Sequence, residues 1–94
     1  MTRDDTSPDS TQGFTFPGMF DITAFAAADA GLDELLADLV NTCGVTVLAG
    51  SLRARPSSAG RYVAVSLSFL CPDRPTHERV YNEVRAHPAV KWTL

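Results

Sequence analysis

The run Val63-Ala64-Val65-Ser66-Leu67-Ser68-Phe69 alternates apolar with small or polar residues without a break. It follows Arg55-Pro56-Ser57-Ser58-Ala59-Gly60-Arg61-Tyr62, whose Pro, Ser and Gly read as a turn. Successive side chains of a strand point to opposite faces, so strict alternation means one buried face and one open face. Arg61 to Leu70 is therefore expected as a strand with Val63, Val65, Leu67 and Phe69 inward and Tyr62, Ala64, Ser66 and Ser68 outward. Ser57 to Gly60 is of hairpin length, with Gly60 able to supply a positive φ. It ties this strand to a preceding one over Val45 to Arg55, which stops at Pro56 and is weakened at Gly50, a candidate bulge.

The neighbouring segments complete the architecture. Phe20, Ile22 and Ala24 recur at even spacing after a Pro17-Gly18 turn signal, which predicts a first strand near residues 19 to 26. Leu32, Leu35, Leu36, Leu39, Val40 and Cys43 form one helical stripe, with Asp29 as candidate N-cap and Gly44 as the stop. A second helix opens at Asp73 with Pro75 in its first turn, points His77, Val80, Tyr81 and Val84 inward and stops at Ala86-His87-Pro88. Val90, Trp92 and Leu94 then alternate with Lys91 and Thr93, which predicts a last strand with Trp92 in core or edge packing beneath the second helix. The order β-α-β-β-α-β, with right-handed crossovers, gives an α+β ferredoxin-like sandwich in which two helices cover one face of a four-stranded antiparallel sheet. Thr23, Phe25, Tyr62, Ala64, Ser66, Ser68, Lys91 and Thr93 are expected on the other face.

A length of 94 residues suits one domain, here residues 14–94 after a flexible tail over residues 1–13, which holds no large apolar residue beyond Met1. No stretch approaches the roughly 18 apolar residues of a membrane span. The acidic N-terminus does not resemble a signal peptide, so a cytoplasmic location and no membrane partner are expected. Cys43 and Cys71 read as small buried hydrophobes rather than a disulfide framework. Without CxxC or a Cys/His cluster, neither metal nor cofactor is expected. The formal charge of -3 owes much to the tail, which has three Asp and one Arg, so the folded part is nearly neutral and gives nucleic-acid binding no general support.

The chain resembles the YbeD-like family of small uncharacterised bacterial proteins, some of which carry a lipoate-regulation label. The resemblance rests on Phe16-Pro17 with Phe20-x-Ile22, on Arg55-Pro56-Ser57-Ser58-x-Gly60-x-Tyr62, on Tyr81, and on Ala86-His87-Pro88-x-Val90-Lys91-x-x-Leu94, and it covers about residues 14 to 94. It implies an ACT-like ferredoxin fold and a regulatory or binding role, with no catalytic residues to carry over. Gly18 stands where members often have Cys, and Ala54 where an acidic residue is common before the arginine, so roles tied to those positions do not transfer.

The candidate ligand site is the hairpin: Arg53, Arg55 and Arg61 with Ser57, Ser58, Gly60 and Tyr62, where guanidinium groups and backbone donors could hold a carboxylate or phosphate. The same residues also read as an ordinary turn, with Pro56 and Gly60 setting it and the serines satisfying its backbone. Phe25 and Tyr62 could stack bases; otherwise Tyr62 is a cross-strand partner and Phe25 is covered by the N-terminal segment or a second subunit. His77 and His87 read as structural, and no Ser/His/acid set or carboxylate pair marks an enzyme. The expected function is thus a non-enzymatic regulatory or interaction module. It would bind a small anionic metabolite, or a homodimer or protein partner through the exposed edge of strand two, with single-stranded nucleic acid on the open face as the alternative.

Overall fold

The structure, a computed structural model, describes residues 15–94; the expected tail over residues 1–13 lies outside the described residues. Among the described residues the order is β1 (Gly18–Ala27), α1 (Leu32–Asn41), β2 (Thr46–Val47), β3 (Arg53–Pro56), β4 (Tyr62–Cys71), α2 (Arg74–Ala86) and β5 (Val90–Thr93). β1 and β4 pair antiparallel along their full lengths, from Gly18 opposite Cys71 to Ala27 opposite Tyr62. β5 joins the free side of β1, and both β2 and β3 join the free side of β4. This is the ferredoxin-like arrangement, with both helices on one face of an antiparallel sheet.

The sheet has five strands rather than four. The single strand expected over Val45 to Arg55 is split, and the physical reason lies in residues 48–52. Ser51 N–H bonds the Leu48 carbonyl at 3.2 Å, closing a turn in which Gly50 sits at φ 78, a conformation costly for a residue with a Cβ. The Ser51 hydroxyl then stands in for a strand backbone: it accepts from Ser68 N–H at 3.1 Å and lies 2.7 Å from the Leu48 carbonyl oxygen. Leu48 N–H bonds the Ser68 carbonyl at 2.9 Å. One side chain therefore carries the ladder across the break.

The core is a single layer between sheet and helices. β1 contributes Ile22, Ala24 and Ala26, and β4 contributes Val65, Leu67, Phe69 and Cys71; Leu32, Leu36, Val40 and Cys43 descend from the α1 segment, and Val80 and Val84 from α2. Fully burying a side chain such as Phe69 or Leu36 is worth about 1.5–3 kcal/mol. The periodicities of two and of three to four that mark these residues in the sequence meet at one surface.

The helix ends differ from each other. α2 is capped as expected: the Asp73 carboxylate accepts from Thr76 N–H at 2.9 Å. The Thr76 side-chain hydroxyl first, and then that backbone donor, pull the carboxylate's pKa below the ordinary 3.8. A depressed folded value means that this contribution is present above the ordinary value and is lost as pH falls through the folded one. α1 departs from expectation. Its N-cap is Gly31 at φ 74 with no side-chain cap, because Ala30 N–H bonds the Ala27 carbonyl and leaves Asp29 inside the turn, two residues too early. Asp33 and Glu34 in its first turn face the positive end of the helix dipole instead.

Ser51→Ala removes the hydroxyl that accepts from the Ser68 N–H, and a part-buried donor left unpaired costs about 1–2 kcal/mol. The expected result is a lower urea midpoint at unchanged slope. An unchanged midpoint would mean that the break in the edge needs no splice.

Candidate functional site

The face of the sheet away from the helices is built by alternation along four strand paths locked in register. Two rungs cross its centre. In one, Arg55, Ala64, Phe25 and Trp92 stand side by side; in the next, Arg53, Ser66 and Thr23. Arg53 and Arg55 are alternate residues of β3, so both side chains leave the same face, about 7 Å apart at the backbone. Between them and β1 lies a depression of about 500 Å³ lined by Thr23, Arg53, Ala54, Arg55, Ala64 and Ser66. Its floor is polar: Thr23 Oγ1 and Ser66 Oγ are 2.8 Å apart. That pair uses one of its two hydroxyl protons and leaves the other to donate outward. On the following rung Ser68 Oγ donates to the Asp21 carboxylate at 2.6 Å.

Of the candidate residues, Arg53 and Arg55 come together at this depression, and Thr23 and Ser66 join them. The latter two were legible as outward-facing but not as a floor, since only the register of β1 against β4 sets them opposite each other. The hairpin residues have other work. Ser57 N–H donates to the Tyr62 carbonyl at 2.8 Å, Ser57 Oγ accepts from Tyr62 N–H at 3.2 Å, and Gly60, at φ 75, donates to the Ser57 carbonyl at 2.9 Å. Ser57 and Gly60 thus hold the turn, with Ser58 exposed between them. Arg61 is exposed at its end and uses its carbonyl to bond Ala28 N–H.

Trp92 corrects the reading of the last strand. Thr93 pairs with Ala24 and Trp92 with Phe25, but Val90 rather than Lys91 pairs with Ala26. Lys91 is an extra residue, and a bulge of this kind reverses which face the following side chains take. Trp92 therefore stands on the open face, 46% exposed, while Thr93 turns toward the core side. The indole stacks on Phe25 with centroids 4.7 Å apart and planes 12° from parallel, and Tyr62 meets it edge-on at 5.5 Å. Phe25 is thus covered on one ring face by Trp92. Nothing in the sequence around Lys91 marks the bulge.

Charge is sorted across the molecule. The strands and the residue before β4 carry Arg53, Arg55, Arg61 and Lys91 against Asp21, whereas α1 carries Asp33, Glu34 and Asp38 with no basic residue and α2 mixes Arg74, Arg79 and Arg85 with Glu78 and Glu83. The edge made by β2 and β3 is interrupted at residues 48–52, bears two arginines and ends on Pro56, three features that blunt pairing with another chain.

Elsewhere the chemistry-bearing groups are committed to packing. His77 lies among Phe16, Phe20, Phe69 and Tyr81, with centroids from 4.7 to 6.3 Å away. Burial, and then the Arg74 charge, push its pKa below the ordinary 6.5. Tyr81 donates its hydroxyl to the Asp21 carbonyl at 2.8 Å. Both cysteines are free and buried, and burial pushes both thiols up, away from the reactive thiolate. An apolar depression of about 480 Å³ lies between Pro17 and Gly18 on one side and Val45, Leu70 and Pro72 on the other. At Gly18 a Cβ would collide with the Thr15 carbonyl oxygen, so glycine is fitted to this loop. Among the described residues no group of His, Cys, Asp and Glu could hold a metal ion, and no helix is long and apolar enough to cross a membrane.

Fold and face together define a small α+β ferredoxin-like domain with an open, partly basic sheet surface. The solution structure of HP0495 from H. pylori superposes with a TM-score of 0.69 over 97% of this chain and 98% of that one, at 14% identity. The C-terminal domain of the MgtC protein from Mycobacterium tuberculosis superposes with a TM-score of 0.62 over 81% and 82%, at 12% identity. At these identities the likeness is one of fold. In sequence, residues 11–94 match the family described as "Protein of unknown function (DUF493)". A UPF0250 protein of Xanthomonas oryzae pv. oryzae is 40% identical over 82 residues, covering 87% of this chain and 89% of the relative. One from Xylella fastidiosa (strain 9a5c) is 39% identical over 88 residues, covering 94% and 96%. The chain belongs to the DUF493 family, whose UPF0250 members are the YbeD-like proteins that the motifs pointed to.

If His77 is a packing residue, its lowered folded pKa makes stability rise with pH, because the unfolded chain binds the proton more readily. Its contribution is fully present above the ordinary 6.5 and is lost as pH falls below it. Thermal melts from pH 7.5 to 5 are expected to show this slope, and His77→Leu to flatten it. An unaltered slope in the variant would assign the pH dependence elsewhere.

Proposed function

We propose that this protein is a non-enzymatic binding module, suited to regulation, that takes a small anionic ligand in the depression of its open sheet face. One observation carries this reading: two arginines from alternate positions of β3 flank a concavity floored by a serine and a threonine hydroxyl. Paired guanidinium groups bind carboxylate or phosphate with two-pronged geometry, and the spare hydroxyl proton adds a neutral donor. The volume falls within the range of small-molecule sites, roughly 300–1,000 Å³. The reading moves recognition from the sheet edge, which is short and blunted, onto the face beside it.

A second reading, single-stranded nucleic acid, gains from the placement of Trp92 beside Phe25 and Tyr62, since exposed aromatic rings on an open sheet can stack bases. Its requirement for a basic track along several phosphates is met less well. Asp21 lies on the face beyond Thr23, and exposed Met19 and Leu70 pair at the end of the β1–β4 ladder.

Inorganic phosphate and pyrophosphate are expected to raise the melting temperature of the wild-type chain, and Arg53→Ala with Arg55→Ala to abolish the rise while leaving the ligand-free melt within a degree or two. Equal rises in wild type and double variant would place the anion elsewhere and sink the reading.

A further inference from the structure

Resting on that anion site, the geometry points to a ligand class: a nucleoside monophosphate, its base held over Ala64 and its phosphate on Arg53. Phe25 has one ring face against Trp92, at 4.7 Å and 12°. Trp92 and Ala64 are its neighbours on opposite sides of the same rung. The other face of the Phe25 ring is therefore turned along the rung toward Ala64, whose methyl group leaves the space above it empty and forms part of the depression. Beyond Ala64 on that rung stands Arg55. Two strand spacings separate β1 from β3, on the order of 10 Å, which accommodates one flat ring between the Phe25 face and a guanidinium plane.

The arrangement offers a base both of the surfaces that bases favour, an aromatic face and an arginine face. Trp92 backs Phe25 from the far side and Tyr62 leans on the indole, so the wall is braced rather than mobile. From a base in this slot the sugar and phosphate run to the next rung, where Arg53, Ser66 and Thr23 stand abreast. The phosphate would take the Arg53 guanidinium and the spare hydroxyl proton of the Thr23–Ser66 pair. Asp21, one rung further on and bonded to Ser68, repels an anion placed there and fixes how far the phosphate can slide. A single phosphate is thus met by positive charge on one side and negative charge ahead, which favours a mononucleotide over a strand that must continue past Asp21.

Calorimetric titration of the full chain with AMP, ribose 5-phosphate and hexa-adenylate tests this, alongside NMR of the Ala64 methyl group. AMP is expected to bind about ten-fold or more tightly than ribose 5-phosphate, the factor that one base stacked on an aromatic ring contributes. Only AMP should move the Ala64 methyl resonance by ring current. Phe25→Leu, which keeps bulk but removes the ring, should bring AMP down to the affinity of ribose 5-phosphate without altering the latter; Arg53→Ala should weaken both. Equal binding of AMP and ribose 5-phosphate would overturn the nucleotide assignment and leave the anion site standing. Binding of neither, with no response to pyrophosphate, would remove both. Hexa-adenylate binding far more tightly than AMP, with a salt dependence of several charges, would overturn it in favour of a strand.

Discussion

The ten-residue antiparallel pairing of β1 with β4 is the constraint on which everything else in this molecule depends. It joins residues 35 to 53 positions apart in the chain and therefore carries a large loop-closure cost, which only a long, well-buried ladder offsets. Because the side-chain period of a strand is two, that one register decides both surfaces at once. It sends Ile22, Ala24, Val65, Leu67 and Phe69 to the core and sets Thr23 against Ser66 and Phe25 against Ala64 on the opposite face. A slip by one residue would empty the core and dismantle the candidate site together. Stability and recognition are two readings of one alignment.

Much of this was legible in the chain. Residues 63–69 alternate so strictly that strand, buried face and open face follow directly, and the stripe from Leu32 to Cys43 leaves one helix orientation. Asp73 and Pro75 announce the second helix because a carboxylate cap and a missing donor have the same meaning in every helix. What the residues could not disclose were events decided by a partner. Ser51 is an ordinary polar residue until Ser68 lies across from it, so the split of the edge strand was visible only as a weakness at Gly50. Asp29 has the chemistry of a cap, but the turn that follows β1 closes around it and starts the helix at Gly31.

The candidate site shows the same division. Arg53 and Arg55 stood out by charge, yet the sequence grouped them with Ser57, Ser58, Gly60 and Arg61 because those are near in the chain. The ladder regroups them with Thr23 and Ser66, which come from two other strands, and the turn residues spend their hydrogen bonds on the turn itself. Trp92 was misplaced for a sharper reason. Alternation is a parity argument, and the bulge at Lys91 adds one to the count. A single unpaired residue converts an apparent core tryptophan into part of an aromatic wall.

The sorting of charge has a consequence at distances beyond any contact. With three carboxylates on α1, three arginines against two glutamates on α2, and four basic residues against Asp21 about the sheet, the basic excess of the domain lies on the sheet side and forms a local positive pole there. A chain of net charge -3 would be expected to repel an anion on average. Fields, however, act on orientation as well as on approach, and within roughly a Debye length of 8–10 Å the local pole outweighs the mean. The molecule can therefore turn its basic face toward an incoming anion during the encounter, gaining selectivity in approach angle without becoming a generally basic protein that adheres to every polyanion it meets.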